Sequence, residues 1–168
     1  MALTVEDGTI VANANTYINE VDADAYFTAR ADPSDWTGAT TAVVEAALIY
    51  AAAQLDGLID WNGAIADNDQ VLAWPRSGAE DHEGRDILVT VVPQRIKDAQ
   101  CEMALLHIQS AVNQAYDRGG MVAREKVGPV EVEYFDGAMA EQDYPFIYRL
   151  LMGLGTVRGR ISADIERA

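Results

Sequence analysis

Few residues in this chain could do chemistry, and they are poorly placed for it. The 168 residues include two histidines and one cysteine. They contain no GxxxxGK(S/T) phosphate loop, no GxGxxG turn, no GxSxG elbow and no HExxH zinc helix. His107 falls in the middle of a predicted helix, where a buried imidazole satisfied by its neighbours is the ordinary reading. His82 stands in Glu80-Asp81-His82-Glu83, with Asp86 close by. Those oxygens suit weak binding of a divalent cation, but their spacing matches no EF-hand, and a solvated acidic loop is the simpler reading. Cys101 is flanked by core-type residues and reads as a small hydrophobe rather than a nucleophile. Standing alone, it excludes an internal disulfide and a multi-cysteine zinc site. No catalytic, cofactor or metal residue is assigned, and no enzyme activity is expected.

The aromatic residues offer a second kind of site. Trp36, Trp61 and Trp74, with Tyr26 and Tyr50, have the ring faces on which single-stranded bases stack. Such platforms work beside cationic grooves that hold the backbone. Here the sequence neighbours are Asp35, Asp60, Asp67 and Asp69, opposed by Arg30 and Arg76 alone. A core or interface role for the tryptophans is therefore expected.

Charge sharpens the point. Twelve Lys and Arg face 27 Asp and Glu, a formal net charge of −15. Residues 1–92 hold three basic against sixteen acidic side chains, and residues 93–168 nine against eleven. From Arg149 onward, four arginines face Asp164 and Glu166, so the C-terminal stretch is locally cationic. Tight nucleic-acid binding needs clustered cations to neutralise phosphates, and this chain supplies few. With 49% hydrophobic residues the charge does not signal disorder. No secretory pattern opens the sequence, and the apolar run at 42–55 is too short to span a bilayer. A soluble, intracellular, single-domain protein is expected.

The elements follow from pattern. Residues 1–18 show no helical period and read as an extended N-terminal arm, with a short strand near Thr9–Ala12. Asn19 suits an N-cap for a helix from about Glu20 to Arg30, with Val21, Ala25 and Ala29 facing inward. Thr40 and Thr41 open a second helix in which Val43, Ala47, Leu48, Ala51 and Leu55 form the stripe, and Gly57 is placed to end it. Residues 59–92 are a long connection, with a strand expected at Ile87–Val92. Pro93 suits the first turn of a third helix running to about Tyr116. Its apolar residues occupy two faces (Ile96, Ala99, Met103, Leu106 and Ala111; Cys101, Leu105, Ile108, Val112 and Ala115), so it is the central helix. Val130, Val132 and Tyr134 alternate with Glu131 and Glu133 after Gly128-Pro129, predicting a hairpin over 122–135. Pro145 starts a short last helix over 145–152, ended by Gly153 and Gly155, and residues 156–168 read as a tail. The fold class expected is mainly α: a bundle of about four helices with one β-hairpin and extended N- and C-terminal arms.

Five segments, TYINEVDADAYFTAR, EAALIYAAAQLDGLIDWNG, QVLAWPRSG, VPQRIKDAQCEMAL and REKVGPVEVEY, together resemble a bacteriophage and prophage family over most of residues 16–152. Its members are often catalogued as DnaT-like single-stranded-DNA-binding proteins, and they look like head–tail connector (adaptor) proteins of tailed phages. That resemblance implies a homo-oligomeric, twelvefold ring beneath the portal protein, with duplex DNA passing through. A tail or stopper protein would join below, in a virion assembled in the host cytoplasm and with no membrane partner. It implies partner contacts at Trp74, Arg76, Val130, Val132, Tyr134, Arg158, Arg160, Ile161 and Arg167. Glu131 and Glu133 would face the bore, where anionic walls repel phosphates. The alternatives are a primosome-like single-stranded-DNA-binding accessory protein and a tail terminator.

Overall fold

The computed structural model describes residues 2–31, 33–109, 124–127, 130–133 and 144–158. Among these, the protein is mainly helical, with short two-stranded pairings. Helix α1 is Glu20–Thr28, and Asn19 caps it as expected, its side chain accepting from the Asp22 N–H. The inward face differs from the expected one. Ala23 and Phe27 are buried, whereas Val21 is 75% exposed. Phe27 decides the rotation: its ring lies 4.4 Å from that of Trp36 in the one-turn helix α2, Ser34–Thr37. An aromatic pair buries far more apolar area than a valine and two alanines.

Helix α3, Thr41–Leu58, and helix α4, Gln94–Ile108, make the most extensive contact among the described elements. The alanines permit it: Ala47, Ala51 and Ala52 of α3 and Ala99 and Ala104 of α4 are fully buried, beside Leu48, Leu55, Ile96 and Met103. Val44 takes the place expected for Val43, which is 46% exposed. Gly57 does not end α3; it lies within the helix, and the chain leaves through Ile59 in extended conformation. By length and composition α3 could cross a membrane, but its apolar stripe is spent on α4. Pro93 precedes α4 as its N-cap, and α4 also meets α1, α2 and α5, which makes it the central helix. The expected continuation of α4 through Ala111, Val112 and Ala115 to Tyr116 lies outside the described residues.

The long connection after α3 is threaded by strands. β1, Ile59–Trp61, pairs antiparallel with β6, Gly155–Val157; β2, Ala64–Ile65, pairs with β3, Arg76–Ser77. Ile87–Val92 is a turn rather than the expected strand, with the Val91 N–H donating to the Leu88 carbonyl. The C-terminal stretch is likewise corrected: residues 155–157 are strand, so no free tail begins at 156. Helix α5, Pro145–Leu150, is shorter than expected and buries Ile147. The hairpin forms as β4, Arg124–Val127, and β5, Val130–Glu133, inside the expected span.

The N-terminal arm is the largest departure. Residues 2–18 fold onto the core, with Ala14, Thr16, Tyr17 and Ile18 buried, and no strand forms at Thr9–Ala12. The buried Glu6 carboxylate accepts backbone N–H groups from Gly8 (2.9 Å), Ile10 (3.0 Å) and Val11 (2.8 Å). That set of bonds holds Ile10 at φ +62°, an uncommon conformation for a β-branched residue.

Candidate functional site

Four of the five segments that carry the family resemblance converge on one buried polar network. Tyr17, fully buried, donates its phenolic O–H to the Asp56 carboxylate near the end of α3, at 2.8 Å. Asp56 also accepts the Ala73 N–H at 2.9 Å, and the Trp74 N–H donates to the Tyr17 oxygen at 3.2 Å. Three remote stretches are thereby tied: the N-terminal segment, α3 and the loop before β3. Burial pushes the Asp56 carboxyl above its usual range, and the bonds from Ala73 and Tyr17 pull it partly back. Burial, then the adjacent carboxylate, push the Tyr17 hydroxyl up strongly. Gln100, on the buried face of α4, extends the tie. Its amide donates to the Thr16 hydroxyl (2.7 Å) and the Leu48 carbonyl (2.8 Å), and its oxygen accepts the Tyr17 N–H (3.0 Å).

Arg76 was expected at a partner contact. Its guanidinium donates to the carbonyls of Asn62 (2.7 Å), Gly63 (2.8 Å) and Ala73 (3.1 Å). It staples β1's exit to the turn before β3. Trp74 was also expected at a partner contact; its ring is fully buried, edge-on to Trp61 at 5.9 Å. Trp36 is equally enclosed, and its indole N–H donates to Asp24 at 2.7 Å. Base stacking on Trp36 or Trp74 is therefore closed off, as the core reading expects.

The remaining candidates divide by where they fall. Arg158 bonds Asp60 at 2.8 Å, and its backbone N–H donates to the Leu58 carbonyl, so it continues the β1–β6 pairing of its own chain. Tyr134, Arg160, Ile161 and Arg167 lie outside the described residues. Val130 and Val132 are in β5, as are Glu131 and Glu133. The register sets Glu131 opposite Lys126 and Glu133 opposite Arg124.

The acidic loop closes on itself. Asp81 accepts the N–H groups of Glu83 and Arg85 and the Arg85 guanidinium, which also meets Glu83 at 3.1 Å. Those bonds, led by the Arg85 N–H, hold the Asp81 carboxyl below its usual range. Among the described residues no group of three or more His, Cys, Asp and Glu is arranged to hold a metal. Cys101 is buried, and desolvation raises its thiol well out of the reactive range. His107 stacks on Tyr50 at 4.2 Å. An open groove of about 440 Å³ between α1 and the start of α4 is lined by Asp22 as well as Lys97, with Tyr26 on its wall.

The described residues thus define a small, mainly helical domain whose motif residues build a buried polar tie. The family model described as "Putative DnaT-like ssDNA binding protein" matches residues 1–168, and the chain belongs to that family. The match takes in both ends of the chain, beyond the segments that carried the resemblance. No curated protein and no solved structure matches.

Proposed function

We propose that this chain is a non-catalytic assembly protein of tailed-phage virions. In this role it is a head–tail connector, whose copies form a ring beneath the portal and let duplex DNA pass without gripping it. The observation that carries this reading is electrostatic. A chain of net charge −15 has Arg30, Arg85 and Arg158 against carboxylates and Arg76 spent on carbonyls. Trp36 and Trp74, two of the five rings that could stack bases, are enclosed in the core. Phosphates are repelled by such a surface rather than held.

A second reading, a single-stranded-DNA-binding accessory protein, has one specific observation in its favour: the description of the family to which the chain belongs. That description supports this reading and not the connector. The two separate cleanly in solution. Fluorescence anisotropy of a labelled oligothymidylate, titrated with protein across a salt series, should show no saturable binding near physiological ionic strength, while the protein should co-sediment with portal-bearing particles. Saturable binding whose log affinity falls by about 0.7 per phosphate for each decade of salt would sink the connector and establish the second reading.

A further inference from the structure

We infer that the surface at the start of α4, an apolar turn beside a groove that holds an unpaired lysine, docks the acidic surface of a second copy of this chain. The inference rests on the ring-forming reading above and names a surface that would build the ring.

The turn is formed by residues 88–91. Three of its four side chains are large and apolar, yet Leu88 is 69% exposed, Val89 44% and Val91 41%. Its backbone is fixed: the Val91 N–H donates to the Leu88 carbonyl, the Ile87 N–H donates to the Ala79 carbonyl, and Val92 is buried. Gly8 lies against the Thr90 carbonyl, too close for any side chain at position 8. Contiguous apolar residues held exposed on a fixed backbone mark a contact surface.

The groove, about 440 Å³ between α1 and the start of α4, is lined by Ile18, Asp22, Ala25, Tyr26, Gln94 and Lys97. Asp7, next to Gly8, lies within reach of the Lys97 charge, so the turn, the Gly8 loop and the groove adjoin. The other polar groups of the groove are engaged within the chain. Asp22 accepts the Asn19 amide (2.8 Å), the Gln94 amide donates to Asp98 (2.9 Å), and the Tyr26 hydroxyl donates to Glu102 (2.6 Å). Lys97 is half-buried, and no carboxylate or carbonyl among the described residues holds its ammonium. Its charge does nothing for its own helix, because a cation in the first turn opposes the dipole.

Charge selects the occupant. Residues 1–92 carry sixteen acidic side chains against three basic ones, so a second copy brings carboxylates to Lys97 while its bulk covers the turn. The two sides of that contact are different patches, and heterologous contacts of this kind generate a ring when the rotation closes. A local attraction seated on apolar area also acts against the repulsion between molecules that each carry a charge of −15.

The test uses the full chain and three variants, Lys97→Glu, Lys97→Arg and the double change Leu88→Ser with Val89→Ser, each followed by sedimentation velocity. Lys97→Glu should weaken self-association about tenfold or more without lowering the melting temperature, since an acid suits the first turn of a helix. Lys97→Arg should assemble like the wild type, the serine pair should assemble weakly, and added salt should weaken the wild-type assembly. Lys97→Glu and the serine pair both assembling like the wild type would overturn the inference. So would a wild-type chain that stays monomeric at the highest attainable concentration, or a Lys97→Glu protein that loses only oligothymidylate binding, which would give the groove to nucleic acid. Portal-particle binding reads the connector role separately. Variants that assemble and bind portal particles like the wild type remove this surface alone, whereas weakened assembly of Lys97→Glu beside tight oligothymidylate binding by the wild type removes the connector alone.

Discussion

Asp56 is the one carboxylate of α3's second half, and its neighbours make it a tie rather than a catalyst. Tyr17 comes from the N-terminal segment and Ala73 from the loop before β3, so a single side chain fixes two crossings of the core. Removing the hydroxyl in Tyr17→Phe leaves Asp56 and the Trp74 N–H each short of a partner. Unfolding stability should fall by about 1–3 kcal/mol, read as a lower denaturant midpoint with an unchanged slope. The pH dependence has a defined sign. Asp56's folded pKa lies above the ordinary 3.8, so the folded state keeps a proton that the unfolded chain has already released. The contribution is fully present below 3.8 and is lost as pH rises through the folded pKa. Asp56→Asn should remove that fall from the stability–pH profile; a profile unchanged between the two proteins would show that Asp56 does not titrate this way. This network was not legible in the sequence. Tyr17, Asp56, Ala73 and Gln100 are scattered along the chain, and no local period links them. Asn19 was legible because capping is a local contact within one turn.

At the scale of elements, legibility followed length. The eighteen-residue α3 and the fifteen-residue α4 were readable because their apolar stripes persist over several turns. In α1 nine residues hold little periodicity, and one aromatic contact with Trp36 outweighed the pattern that pointed to Val21. The N-terminal segment was misread because its anchor, the buried Glu6, is an acid that composition alone would leave in solvent. Close approach gives this region a sharp test. Gly8 has φ +107°, and a Cβ built on it would lie 2.0 Å from the Thr90 carbonyl oxygen. Gly8→Ala must displace either the Glu6 loop or the turn at Leu88–Val91, and should destabilise the fold by roughly 1–3 kcal/mol. Amides of residues 8–11 should also exchange faster with solvent; a neutral Gly8→Ala would mean that this loop moves away at no cost.

For the molecule as a whole, the N-terminal segment and β6 are part of the described fold. The sequence suggested a detachable tail from residue 156, but β6 spans Gly155–Val157 and Arg158 holds Asp60. One truncation tests this. Deleting residues 156–168 should lower the melting temperature, because β1 loses its partner and Leu58 and Asp60 lose Arg158. Unchanged melting would show that β6 contributes nothing. Charge, by contrast, was fully legible, being a sum over side chains that folding does not alter. Its meaning for function rests on which cations are left unspent, and that is a matter of the tertiary contacts of Arg76 and Arg158.

The pairing of Ile59–Trp61 with Gly155–Val157 has a bearing on how the polypeptide is made. A ribosome delivers the first strand long before the second, and Tyr17 must likewise wait for Gln100, 83 positions later. The nascent N-terminal half therefore emerges without its seal, its alanine stripe uncovered until α4 arrives. Vectorial synthesis gives little early foothold to a chain closed by such distant partners, so its folding should finish only after synthesis.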